Sequence, residues 1–271
     1  MNVSDLPLIV EPDQLEAALG SDGLLVVDLC KPEVYHQYHV PGAIHLDYGQ
    51  LIQPRKPAMG LPPNAGRLTA LFSGIGLTPE THVVAYDDEG GGRAARLLWT
   101  LELAGHTSYS LLNGGLHAWA NERHPLNGDT VLRDLARYPV ELNDAPLATR
   151  EYVLNHLNDP EVKLLDARSP AEYGGTKVFA ARGGHIPGAV NLEWTETMDS
   201  QRNLRLKASD TLRDMLEVRG AIPSREIIVY CQTHHRSAHL YIVLKSLDYE
   251  RVRAYAGSWS EWGNTPDLPI E

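Results

Sequence analysis

Residues 226–236 read EIIVYCQTHHR, an apolar run that ends in a cysteine and continues into a short polar loop. The β-branched side chains of 226–230 are typical of a buried strand. Apolar residues at helical spacing follow from Ser237 to Leu247 and predict a helix there. A strand, a short loop and a helix in this order predict a parallel α/β sheet with right-handed crossovers.

The same pattern occurs earlier, because the sequence contains an internal repeat. Four blocks match in the same order, at an offset of 138 to 146 residues. The matched blocks are LLVVDL (24–29) with KLLDAR (163–168), HVPGA (39–43) with HIPGA (185–189), HVVAYD (82–87) with EIIVYC (226–231), and NGGLHAW (113–119) with AGSWSEW (256–262). The first half also has helical spacing from Arg93 to Leu103, so the sequence predicts a duplicated domain.

We therefore predict two similar α/β domains, each with a parallel sheet flanked by helices. The predicted limits are 1–125 for the first domain, 126–148 for a linker and 149–271 for the second domain. The linker region is rich in Pro, Asn, Asp and Gly, which favour turns and loops.

Composition narrows the function classes. The formal net charge of −11 and the lack of a basic patch make a nucleic-acid partner unexpected. Neither a signal peptide nor an apolar run of membrane-spanning length is evident, so we expect a cytoplasmic protein without a membrane partner. The two cysteines, Cys30 and Cys231, lack metal-ligand spacing, and a disulfide would suit a reducing compartment poorly. We expect no metal and no cofactor.

Cys231 lies where a strand passes into a helix, at the sheet edge where parallel α/β proteins place their sites. Backbone N–H groups from Gln232 to Arg236 would converge there, favour an anion and lower the pKa of the thiol. Arg236, His234 and His235 could add positive potential. The alternative is a buried, inert cysteine. Cys30 has no such loop, and we interpret it as a packing residue or a weakly exposed thiol.

The first half carries Asp87 at the position of Cys231. Its loop, DDEGGGR (87–93), has three acidic residues, cannot perform thiol chemistry and would repel an anion. Residues that occur in both halves are expected to be structural. They are His39 and His185, and Asp28 and Asp166.

Together, the paired HVPGA and HIPGA blocks and the terminal GSWSEW resemble the rhodanese family over nearly the whole chain. The resemblance implies two domains built on five-stranded parallel sheets, with the reactive cysteine only in the second. The loop CQTHHR is neither the CRKG type of animal thiosulfate sulfurtransferases nor the CGSG type of mercaptopyruvate sulfurtransferases, and it resembles that of certain bacterial two-domain rhodaneses. Glu172 stands where the animal enzyme has a substrate-binding arginine, so that role does not transfer.

The resemblance implies an enzyme that moves sulfane sulfur from thiosulfate to cyanide or a thiol through a Cys231 persulfide. The candidate substrate-binding residues are Gln232, Thr233, His234, His235 and Arg236, with Trp194 as an apolar wall or as a core residue. Two alternatives stay open: a 3-mercaptopyruvate sulfurtransferase, and a carrier that delivers sulfur to partner proteins. A cysteine phosphatase would need five residues between Cys and Arg, whereas four separate Cys231 from Arg236.

Overall fold

The computed structural model describes residues 3–271, which form two compact units. In the first half of the chain, the strands are β1 Ile9–Val10, β2 Leu24–Asp28, β3 Ile44–His45, β4 His82–Tyr86 and β5 Tyr109–Leu112, and the α-helices are α1 Pro12–Ala18, α2 Pro32–Gln37, α3 Ala65–Gly74, α4 Gly92–Leu103 and α5 Gly115–Asn121. Short 3-10 turns lie at Val3–Asp5 and Tyr48–Leu51.

The second half repeats the pattern. Its strands are β6 Leu147–Ala148, β7 Val162–Asp166, β8 Val190–Asn191, β9 Met198–Asp199, β10 Arg205–Leu206, β11 Glu226–Tyr230 and β12 Val252–Tyr255. Its α-helices are α6 Arg150–Asn155, α7 Pro170–Tyr173, α8 Ser209–Glu217, α9 Arg236–Ser246 and α10 Ser258–Trp262, with 3-10 turns at Trp194–Thr197 and Ser200–Arg202.

Each unit contains one five-stranded parallel sheet, and the two sheets have equivalent strand orders. The first is β1-β5-β4-β2-β3 and the second is β6-β12-β11-β7-β8. The registers also correspond, because Asp28 pairs with Tyr86 in one sheet and Asp166 with Tyr230 in the other. The predicted fold class and the predicted duplication are thus confirmed. The central strands β4 and β11 are almost wholly buried, as their β-branched sequences require.

Two segments pack outside the unit formed by their own half of the chain. Residues 52–62 belong to the unit built mainly from the second half, and residues 198–206 to the unit built mainly from the first. We call these segments the first arm (52–62) and the second arm (198–206). The predicted limits 1–125, 126–148 and 149–271 describe the sequence repeat and stay a prediction. The sequence did not indicate the arms.

The region predicted as a linker contains little regular structure but is hydrogen-bonded to helix α3. Ala136 and Tyr138 donate backbone N–H groups to the carbonyl and hydroxyl oxygens of Ser73. Val140 donates its N–H to the hydroxyl of Thr69 at 3.0 Å. These contacts place the chain up to Asn143 in the first unit. Among residues 3–271, no helix is both long enough and apolar enough to cross a membrane.

The paired histidines make the same contacts in both units. His39 donates Nδ1–H to the carbonyl of Tyr35 at 2.7 Å and stacks on that ring. His185 donates to the carbonyl of Tyr173 at 3.0 Å and stacks on that ring as well. Each histidine therefore fixes the turn that follows a short helix, which fits the structural role expected for a residue present in both halves.

Candidate active site

Cys231 follows strand β11 directly, and helix α9 begins five residues later at Arg236. The predicted strand–loop–helix arrangement around the cysteine is confirmed. The predicted start of the helix, Ser237, was one residue late. The Cys231 side chain is fully buried, so its chemistry depends on the groups that surround the sulfur rather than on bulk water.

The sulfur of Cys231 faces hydrogen-bond donors and a cation. Burial alone would raise the pKa of this thiol. The Arg236 charge, the Ser237 hydroxyl and the backbone N–H groups of Ser237 and Thr233 outweigh burial and lower the pKa to about 7. A large fraction of the thiol is therefore thiolate near neutral pH, the form that acts as a nucleophile.

Ser237 is a residue that the sequence reasoning did not select. It is fully buried in the first turn of α9, and its hydroxyl lies 2.8 Å from Nδ1 of His234. A hydroxyl has one proton, so when Ser237 donates it to the thiolate, His234 must donate Nδ1–H to Ser237. The available signal was a small hydroxyl residue at a helix N-terminus that follows a cysteine loop.

Arg236 forms a two-pronged ion pair with Glu172 of helix α7, at 2.6 and 2.8 Å. Their side chains are 20% and 4% exposed, respectively. Burial would raise the pKa of Glu172, but the hydrogen bonds and charge of Arg236 hold it down at about 2. The carboxylate also accepts from the Ser169 hydroxyl at 2.8 Å. Glu172 thus fixes the guanidinium beside the loop.

The other predicted loop residues have different surroundings. His234 is fully buried and adopts a left-handed backbone conformation, with φ of 53°. His235 is half-buried, and its ring centre lies 5.6 Å from that of Trp194. The Gln232 side chain leaves the loop and donates to the carbonyl of Phe179 at 3.2 Å.

Trp194 begins the 3-10 turn Trp194–Thr197 and is half-buried. Its ring contacts His235 on one side and, in an edge-on arrangement, the buried His239 of helix α9. His239 in turn is hydrogen-bonded to the Thr197 hydroxyl at 2.8 Å. Trp194 therefore packs against the loop and its helix, and its role as a wall for the substrate stays a prediction.

The block AGSWSEW, quoted above as a sequence signature, is hydrogen-bonded to the backbone of the loop. The backbone N–H of Trp259 donates to the Cys231 carbonyl at 2.9 Å, and that of Ser260 to the Gln232 carbonyl at 3.0 Å. The Cys231 N–H donates to the Ser258 hydroxyl at 3.3 Å. The start of α10 therefore fixes the backbone on both sides of the reactive side chain.

In the first unit, the equivalent loop surrounds the Asp87 carboxylate. Asp87 accepts four backbone N–H groups at 2.8 to 3.0 Å. They belong to Glu89, Gly91, Arg93 and Ala94. The N–H groups of this loop therefore converge on the side chain that follows strand β4. Cys231 has the equivalent position in the other unit, directly after strand β11.

Cys30 is also buried, at 3% exposure. Burial, followed by the charge and hydrogen bond of Asp28, strongly raises the pKa of its thiol. Its backbone N–H donates to Asp28 at 2.6 Å. Cys30 therefore stays protonated at neutral pH, in agreement with the packing role expected for it.

Comparison with known proteins points to one family. The model of the rhodanese-like domain family matches residues 11–122 and 149–265. A thiosulfate sulfurtransferase of Pseudomonas aeruginosa is 47% identical over 268 residues, which cover 99% of this chain and 98% of that protein. A thiosulfate sulfurtransferase of Azotobacter vinelandii is 46% identical, with the same coverage. The sulfur carrier protein TtuD of Thermus thermophilus is 33% identical and covers 88% of this chain and 86% of its own length.

Among solved structures, the anaerobic ergothioneine biosynthesis enzyme from Chlorobium limicola superposes with a TM-score of 0.88. The alignment covers 97% of this chain and 70% of that enzyme, at 21% identity. This likeness shows a shared fold.

Proposed function

Because this chain belongs to the rhodanese-like domain family, we propose that it is a thiosulfate sulfurtransferase that carries the transferred sulfur on Cys231. The observation that carries the proposal is the buried Cys231 thiol in the loop that leads into the N-terminus of α9, where Arg236 and the Ser237 hydroxyl lower its pKa. The identity of 47% to a thiosulfate sulfurtransferase over nearly the full chain supports the choice of donor.

In the first half-reaction, the Cys231 thiolate attacks the outer, sulfane sulfur of thiosulfate. A new S–S bond forms between the Cys231 sulfur and the sulfane sulfur, the S–S bond of thiosulfate breaks, and its electron pair leaves with sulfite. The cysteine becomes a persulfide anion, and the total charge is the same on both sides. Neither a proton nor an external electron is required, so one nucleophile suffices.

In the second half-reaction, a thiophilic acceptor attacks the outer sulfur of the persulfide. With cyanide, a carbon–sulfur bond forms, the S–S bond breaks, and thiocyanate leaves while the Cys231 thiolate returns. A thiol acceptor, as its thiolate, would take the same sulfur as a small persulfide. The low pKa of Cys231 assists this step too, because a more stable thiolate is a better leaving group.

The loop stabilises negative charge in both steps. The groups that act on the sulfur are the N–H groups of Thr233 and Ser237, the Ser237 hydroxyl and the N-terminal end of α9. They are in place before the reaction begins, so little reorganisation is needed during it. Arg236 adds a positive charge, although Glu172 holds its two terminal nitrogens. In this proposal Arg236 attracts the dianion by charge, and Gln232, Thr233, His235 and Trp194 border the space for the donor.

The persulfide is tested by intact-mass spectrometry after incubation with thiosulfate. The protein should gain the mass of one sulfur atom, and cyanide should remove it. Cys231→Ser should lose both the adduct and thiocyanate formation, whereas Cys30→Ser should keep them. Turnover without an adduct, or equal loss in both variants, would overturn the proposal.

The donor is tested by comparing kcat/KM for thiosulfate and 3-mercaptopyruvate. We expect thiosulfate to be preferred, since the glycine-containing CGSG loop is absent and Arg236 faces a doubly charged donor. A higher kcat/KM for 3-mercaptopyruvate would select the alternative enzyme. The similarity to a sulfur carrier protein favours a second candidate, delivery of sulfur to a protein acceptor. Slow turnover with every small acceptor, together with a stable adduct, would favour that candidate.

A further inference from the structure

The first arm, residues 52–62, comes from the first half of the chain and packs in the unit that contains Cys231. It folds back on itself, since the Gln53 N–H donates to the Leu61 carbonyl at 2.9 Å and the Arg55 N–H to the Ala58 carbonyl at 2.8 Å. These hydrogen bonds restrict the backbone conformation of the arm between Gln53 and Leu61.

Gly60 is the point at which the arm meets the reactive loop. It is buried, and a Cβ at this position would lie 2.2 Å from the Thr233 carbonyl oxygen and 2.5 Å from its carbonyl carbon. The same Cβ would lie 2.6 Å from the carbonyl oxygen of Ala256. Gly60 is not among the glycines at positive φ, so a left-handed backbone is not the reason for a glycine here. The close approach of the neighbouring backbone requires glycine here.

Met59, the residue before Gly60, links the arm to helix α10. The Met59 N–H donates to the Ser260 hydroxyl at 3.0 Å. The Ser260 N–H donates in turn to the Gln232 carbonyl at 3.0 Å. The reactive loop is thus held by the start of α10, and the arm lies against it at the Thr233 carbonyl.

Thr233 matters because its N–H group is one of those that lower the pKa of Cys231. The Thr233 N–H and the Gln232 carbonyl belong to one rigid peptide group, which Ser260 holds through its hydrogen bond to that carbonyl. The Thr233 carbonyl is attached to the same Cα as this N–H, so a displacement of the carbonyl changes the backbone torsions that direct the N–H. We propose that Gly60 is a positioning residue of the active loop: by allowing the arm to lie against the Thr233 carbonyl, it keeps the Thr233 N–H directed at the Cys231 sulfur. The inference rests on the proposed function only in assigning the reaction to this thiolate.

Gly60→Ala tests the proposal. The atoms that its Cβ would meet are backbone atoms, so the arm or the loop must shift. We expect the pKa of Cys231 to rise from about 7 by about one unit, which lowers the thiolate fraction at pH 7 about fivefold. The readout is the pH dependence of alkylation at Cys231, resolved from Cys30 by peptide mass spectrometry. The matched control is Gly74→Ala, because an added Cβ there meets nothing within 4 Å.

A second variant covers the case in which Gly60→Ala does not fold. Ser260→Ala removes the acceptor of the Met59 N–H without adding atoms to the loop, and we expect a smaller rise, with the thiolate fraction at pH 7 reduced about twofold. An unchanged Cys231 pKa in folded Gly60→Ala, or in Ser260→Ala when the first variant is unfolded, overturns the positioning role. Alkylation needs no thiosulfate turnover. If the Cys231 pKa rises in the variants but the wild-type protein transfers no sulfur, the proposed function alone is overturned.

Discussion

Cys231 and Cys30 differ in what surrounds the sulfur, not in how deeply it is buried, since both are at most 3% exposed. Cys30 has the Asp28 carboxylate nearby, which opposes a second negative charge. Cys231 has Arg236 and several donors, which favour one. A buried thiol therefore becomes reactive or inert according to a few neighbouring charges and dipoles.

The first prediction concerns pH. The alkylation rate of Cys231 should rise as pH increases through about 7 and then level off, because the thiolate predominates above the pKa. Iodoacetamide labelling followed by peptide mass spectrometry measures this profile, and Cys30 in the same sample should remain unlabelled. A Cys231 midpoint near the ordinary thiol value would contradict the balance of burial and donors described above.

The second prediction concerns Arg236. Arg236→Ala should raise the pKa of Cys231, because it removes the cation that lowers it most, and should slow sulfur uptake from thiosulfate. It should also reduce stability by about 2 kcal/mol, because the nearly buried Glu172 loses its partner. Stopped-flow kinetics of each half-reaction and urea unfolding provide the measurements.

Arg236→Lys is the matched control, since it keeps the charge but not the two-pronged pair. It should retain most of the lowered Cys231 pKa and lose part of the stability. If Arg236→Ala leaves the pKa unchanged, the guanidinium does not act on the sulfur.

At the scale of elements, the loops after β4 and β11 are two versions of one device. Both pass from a buried strand into a helix and direct backbone N–H groups at the side chain that follows the strand. In one version the side chain is that of Asp87, which accepts four N–H groups. In the other it is a thiol that can form and break bonds.

The third prediction follows from the first loop. Asp87→Ala should lower the free energy of unfolding by about 2–3 kcal/mol, because the mutation removes the acceptor of four converging N–H groups. Asp88→Ala is the control, since the Asp88 side chain makes a partly exposed contact with Arg93 at 3.7 Å and its loss should change stability by less than about 0.5 kcal/mol. Urea unfolding measures the free energy of unfolding of both variants. Equal losses would mean that the stability of the loop does not depend on the Asp87 carboxylate.

Sequence reasoning succeeded for elements with a strong period. The strand at 226–230, the helix that follows it and the helix at 92–103 were predicted to within one residue at each end. The two-residue strands β1, β3, β6, β8, β9 and β10 were not predicted, because two residues carry no period. The pair Glu172–Arg236 was also missed, since its partners lie 64 positions apart and only the folded sheet brings them together.

At the scale of the whole molecule, Arg205 is the residue of the second arm that ties it most strongly, by polar contacts, to the rest of the first unit. Its side chain is 9% exposed and donates Nε–H to Glu11 at 2.8 Å and Nη2–H to Glu122 at 2.8 Å. These hydrogen bonds and the arginine charge lower the pKa of Glu122. The Leu206 N–H also donates to the Asn113 side chain at 2.9 Å.

The fourth prediction is that Arg205→Ala destabilises the first unit by about 1–2 kcal/mol, through the loss of hydrogen bonds to charged groups. Arg202→Ala, an exposed position on the same arm, should have little effect. Hydrogen exchange of the strands in the first sheet, measured by mass spectrometry, would locate the loss. Equal exchange in the two variants would show that Arg205 does not hold the arm.

No pattern in the sequence could have revealed the arms. Residues 52–62 and 198–206 carry neither a long apolar period nor a repeated block, and each lies inside the half to which the sequence repeat assigns it. The repeat reports common ancestry of the halves, whereas packing follows the contacts that each segment makes. Gly60 is meaningful only once its distance to Thr233 is known.

The exchange of arms also sets an order for protein synthesis. Ribosomes extend a chain from its N-terminus at roughly 5–20 residues per second, and domains generally fold as they emerge. Most of the first unit has been synthesised once the chain reaches residue 143. Its last segment is complete only at residue 206, which is 206 − 143 = 63 residues later. For about 3 to 13 seconds, the nascent first unit must therefore persist without residues that complete its packing.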